Sequence, residues 1–144
     1  MTATESEWQA CLRQMDEHEQ HIRAWQPAEP DPAAKRCVES RHRTLAHLRA
    51  CQETWLEACI AFDHKPHPRL KLLHPWRLFE QKSYELISWD THLAAYLADR
   101  ASWKELLISA DRQKTGKING TEHSIESLTL RLVGHEHHHL FTPR

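Results

Sequence analysis

The sequence predicts an all-α fold, a bundle of four long helices, and three observations carry that expectation. Only 3 glycines occur in 144 residues, so little of the chain is suited to tight turns. Prolines gather in short stretches, Pro27-Ala-Glu-Pro30-Asp-Pro32 and Pro66-His-Pro68, which read as sharp breaks. Between the breaks apolar residues recur at three-four spacing, with no period-2 alternation and no internal repeat.

The first helix is expected over residues 5–25, with Trp8, Leu12, Met15, Ile22 and Trp25 on its apolar face and Thr4 or Ser6 as cap. His18 falls near that face and reads as a core-edge histidine. The second helix is expected over residues 33–62. Thr44, His47, Cys51, Trp55, Ala58 and Phe62 keep the rhythm, so His47 faces inward. A loop with His64 and His67 follows, then a short helical piece through residues 76–82. The third long helix, capped near Ser88 and reaching Ser109, turns Trp89, Leu93, Tyr96, Arg100, Trp103 and Leu107 inward. A guanidinium buried without a partner is costly, so Arg100 must snorkel outward or meet an anion. Residues 111–120 read as a flexible connection without the spacing of a phosphate loop, and Thr121 or Ser124 caps the last helix.

Composition narrows the function. At 144 residues and 40% hydrophobic, one domain spanning 1–144 is expected, with enough chain for a core. A net charge of −1 with scattered Lys and Arg gives no footprint for nucleic acid. No apolar run approaches a membrane span, and the first residues lack the pattern of a signal peptide. Cys11, Cys37, Cys51 and Cys59 form no CxxC pair. Reduced, mostly buried thiols in a cytoplasmic protein are the expectation.

The chemistry concentrates at the end of the chain. Alternating steps of three and four from Ile125 land on Leu128, Leu132, His135 and His139. The last two share a helix face one turn apart and can hold one metal ion together. With inward-facing His47 they make a set of three imidazoles, which leaves a coordination position open for water or substrate. Such a donor set suits Zn²⁺, Ni²⁺, Cu²⁺ or Fe²⁺. The plainer alternative is a solvated histidine-rich helix end complementing the helix dipole. An affinity tag fits less well, because Glu136 interrupts the run. The string His135-Glu136-His137-His138-His139 also satisfies HExxH, in which Glu136 would be a general base, although the chain ends too soon for the usual third protease ligand. The solvated flank is the favoured reading of Glu136.

Thr44-Leu-Ala-His47-Leu, Gly120-Thr-Glu-His-Ser-Ile-Glu-Ser-Leu and His135-x-x-His138-His139 together resemble the DinB/YfiT superfamily, over residues 5–141. The resemblance implies a four-helix bundle with long crossover connections and a divalent metal, Zn²⁺ or Ni²⁺, on His47, His135 and His139. His138 would orient a ligand without touching the ion. It implies a small-molecule substrate and a thiol-dependent S-transferase, using a low-molecular-weight thiol, or a metal-dependent hydrolase; relatives often form homodimers. Arg100 would help to place an anionic group, and Glu136 would serve the hydrolase as base. A non-catalytic bundle that binds a metal or small ligand is the reading from a different class.

Overall fold

A computed structural model describes residues 2–141, so the terminal residues of the 1–144 span lie outside the described residues. Helix α1 (Glu5–Arg23) starts from Thr4, whose hydroxyl accepts from the Glu7 amide while the Glu7 carboxylate accepts from the Thr4 amide. This reciprocal capping satisfies two donors that a helix start leaves open. Trp8, Cys11, Met15, His18 and Ile22 are its buried residues, so His18 sits within the core and not at its edge.

Helix α2 (Arg41–His64) begins eight residues later than the apolar rhythm suggests. Ser40 is extended (φ −154°, ψ 121°) and its side chain accepts from the Arg43 amide, which fixes the helix start there. Before it, Cys37–Glu39 form one 3₁₀ turn. Residues 33–36 are irregular. Strand β1 (Arg69–Leu70) follows α2, and α3 (Pro75–Gln81) carries proline at its first position. Helix α4 (Trp89–Ser109) is capped by Ser88 as expected.

The expected flexible connection is instead a hairpin, β2 (Thr115–Ile118) and β3 (Thr121–Ser124), with β1 parallel to β2. Strands this short offer no periodic signal. Asn119 and Gly120, with φ of 49° and 86°, form the tight turn between them. Gly116 has a separate role: a Cβ there would lie 2.3 Å from the Phe62 ring, so only glycine lets β2 rest against α2. Strand β3 runs directly into α5 (Ile125–Phe141), and Ser124 Oγ accepts from the Ser127 amide.

The four long helices form the bundle. Helix α2 packs against α4, α5 and α3, whereas α1 packs on α5, so the chain crosses over between sequential helices. One apolar cluster joins Met15, Cys59, Phe62, Trp103, Leu128 and Leu132. A second joins Ile22, Leu45, Leu48, Trp89 and Tyr96. Arg100 and Glu136, both fully buried, form an ion pair within the bundle. Arg100 Nε donates to Gln52 Oε1 at 2.7 Å, and its Nη1 donates to the Met15 carbonyl at 2.8 Å. Glu136 also accepts from the Tyr96 hydroxyl and from His18 Nδ1.

Removing one partner strands the other charge. Arg100→Met is expected to cost about 3–5 kcal/mol in urea unfolding. Arg100→Met with Glu136→Gln should cost less than the two single changes added together; additive losses would show that the charges do not depend on one another.

Candidate metal centre

Helices α2 and α5 bring His47, His135 and His139 to one point, with one ring nitrogen of each lying within 4.8 Å of the others. His47 Nε2 and His139 Nε2 each stand 3.2 Å from His135 Nε2. Two imidazole nitrogens on one tetrahedral zinc, each at ~2.0–2.1 Å, are about 3.3 Å apart, so the spacing suits a shared cation. Among the described residues, His135 has only imidazoles as partners on its Nε2 side, and its buried Nδ1 has no hydrogen-bond partner. Three rings that direct nitrogens at one another are the arrangement a coordinated cation relieves. The donor set therefore fits a divalent metal.

Electrostatics keep the rings in the ligand form. Burial, then the neighbouring His135 and His139, push His47 down to about 3. Burial, then His139, push His135 down to about 4. Burial and His138 lower His139 as well. All three are neutral at pH 7, and neutral imidazole is what a metal binds.

Neighbours hold the trio in place. Trp76 stacks on His47 with centroids 4.1 Å apart and planes 10° from parallel. Cys51 Sγ lies 3.6 Å from His47 Nε2, its thiol pushed up to about 12 by burial and so kept protonated. Trp55 meets His135 edge-on at 5.8 Å. Cys51 was legible from its position one turn after His47. Trp76 was not, because α3 is too short for a periodic stripe.

The other expected site residues are not members of the trio. His138 is exposed, its ring 5.6 Å from that of His139. Glu136 is not a solvated flank: its side chain enters the core on a different face of α5 from His135. Burial pushes its carboxyl up, but Arg100 and hydrogen bonds from His18, Tyr96 and Arg100 outweigh that and hold it below the usual carboxylate range. Arg100 meets an anion, as burial requires, but the anion is Glu136 and the guanidinium is fully enclosed. His18 spends its Nδ1 on Glu136 and does not join the trio. A cavity of about 410 Å³ opens beside His139, between Cys37, Arg43 and Trp76.

No family model matches the chain, and no curated protein matches it. Among solved structures it superposes on YfiT from Bacillus subtilis, described as a probable metal-dependent hydrolase with an unusual four-helix bundle topology. The TM-score is 0.78 at 13% identity, over 96% of this chain and 85% of that one. The protein thus has the four-helix bundle fold seen in YfiT, and it carries a three-histidine cluster. The likeness to YfiT itself is one of fold.

His135→Ala or His139→Ala is expected to abolish tight zinc binding in a metal titration, while His137→Ala, exposed and packed on Phe141, leaves it intact. Equal losses from all three would mean a loose chelating tail. The lowered histidines also set an acid response, since the unfolded chain takes up protons near pH 6.5 that the folded one refuses until about pH 3–4. Metal-free protein should therefore lose stability as pH falls through that window; a flat unfolding midpoint from pH 6.5 to 4 would contradict it.

Proposed function

We propose that the chain is a metal-dependent enzyme acting on a small molecule, with Zn²⁺ or Ni²⁺ held by His47, His135 and His139. The convergence of three neutral imidazoles on one point is the observation that carries the reading. Three protein ligands leave room for a further one, the pattern of catalytic rather than closed structural sites. A divalent ion there supplies Lewis acidity, which lowers the pKa of a thiol or water that reaches it and makes a nucleophile available near neutral pH.

The chain's own residues support thiol-dependent S-transfer as the finer reading. Glu136, the carboxylate beside the histidines in sequence, is fully buried and engaged by His18, Tyr96 and Arg100. A reaction that relies on it as local base is disfavoured, and an ionised thiol needs no such base. Burial and Trp76 fix the His47 ring, and Trp55 borders His135, so the trio meets substrate in a fixed orientation. Hydrolysis is the second reading, favoured by the description of YfiT. There the same three histidines would serve, with Glu136 acting only by holding α5.

Zinc-loaded protein offered a panel of electrophiles, with and without low-molecular-weight thiols, separates these readings. S-transfer is expected to require the thiol and to fall to background in His47→Ala. Thiol-independent cleavage would replace it by hydrolysis. Bound zinc with neither reaction would leave a metal-binding bundle without catalysis.

A further inference from the structure

The cavity beside His139 has a charge pattern that the histidine trio does not use. One wall comes from the irregular stretch before α2 and from the first turn of that helix, and the other from Trp76 and His139. The lining includes Lys35, Arg36 and Arg43 and, among the described residues, no Asp or Glu. Arg36 is already paired with Glu39 at 3.1 Å. Among the described residues no carboxylate forms an ion pair with Arg43, although its charge helps to lower the Glu39 carboxyl one turn before it; the guanidinium carbon lies 4.8 Å over the Trp76 ring and 4.9 Å over Phe79. Its Nε is buried and has no hydrogen-bond partner among the described residues.

A stacked guanidinium spends its faces on the rings and keeps its N–H edge for an acceptor in its own plane. A buried N–H without an acceptor is costly, and because Arg43 Nε is closed to solvent, a ligand in the cavity would meet the terminal N–H groups of the half-buried guanidinium. Carboxylates match that edge with two parallel hydrogen bonds. The volume, about 410 Å³, lies at the low end of the ~300–1,000 Å³ range of small-molecule sites and suits a small molecule. Val38, Cys37 and Trp76 add an apolar wall for the body of such a molecule.

We propose that the cavity binds a small organic carboxylate, anchored on Arg43 with Lys35 at the mouth, its body against Trp76 and its far end directed to His139. This deepens the enzyme reading, resting on it only for what happens at that far end; the anion site itself stands on the cavity. A phosphate would need more donors than one guanidinium edge and one exposed lysine, so a carboxylate is favoured.

The test is isothermal titration of benzoate, phenyl phosphate and neutral benzamide into wild-type, Arg43→Gln and Arg43→Lys protein. Each protein is used both zinc-loaded and metal-free, with helicity and zinc stoichiometry measured alongside. Benzoate is expected to bind wild-type protein in both states, about tenfold or more weaker in Arg43→Gln, with an intermediate loss in Arg43→Lys. Benzamide should bind weakly to all three. Undiminished benzoate affinity in Arg43→Gln overturns the proposal, as does benzamide binding as tightly as benzoate. Tighter, Arg43-dependent binding of phenyl phosphate overturns the carboxylate assignment. Should Arg43→Gln not fold, Arg43→Lys carries the comparison, because it keeps the charge and loses the fork. Protein that holds no zinc yet binds benzoate through Arg43 upholds this inference and removes the enzyme reading; zinc binding without Arg43-dependent benzoate binding does the reverse.

Discussion

The buried ion pair between Arg100 and Glu136 is the constraint on which the rest of the bundle depends. A charge pair taken out of water survives only when its remaining donors and acceptors are met, and here all four long helices supply them. Helix α4 gives Arg100 and Tyr96, α5 gives Glu136, α1 gives His18 and the Met15 carbonyl, and α2 gives Gln52. Apolar side chains can slide past one another at little cost, but a set of directed hydrogen bonds admits one register. The pair therefore acts as the pin that sets the height and rotation of α5 against its neighbours.

That rotation is what makes the histidine site. Neighbouring residues on a helix point about 100° apart, so fixing Glu136 into the core turns His135 toward α2, and His139 follows one turn later. His47 waits there, held flat by Trp76. The HExxH string thus distributes its parts between two tasks. Its two end histidines meet His47 of α2, and its glutamate secures the helix that carries them.

Much of this was legible in the chain. The three-four stripe through Ile125, Leu128 and Leu132 places His135 and His139 on the inward face without any structure, and the rhythm of α2 does the same for His47. Thr4, Ser88 and Ser124 announce their helices through capping chemistry. Arg100 announced a need for an anion, but its partner lies 36 residues away; Glu136, four residues after Leu132, shares the buried face of α5, and an acidic residue at that spacing was the available signal. The start of α2 was misread because Ala33, Ala34 and Val38 suit a helix, and a single serine side chain at position 40 decides otherwise. That change moved Lys35 and Cys37 from a helix to the wall of the cavity. The hairpin escaped because only Asn119-Gly120 marks it.

The direct passage from β3 into α5, with no linker between Ser124 and Ile125, has a consequence for how this protein tolerates change in length. The hairpin is tied to α2 through Gly116 and Phe62 and by β1 beside β2, so it cannot swivel freely. One residue added at that junction would be passed on as a turn of the whole helix by about 100°, swinging both histidines off His47 and Glu136 off Arg100 at once. The joint permits substitutions but not insertions or deletions. Lengthening is absorbed more easily among the mostly exposed, irregular residues 26–32, where no helix has its phase set by the segment before it.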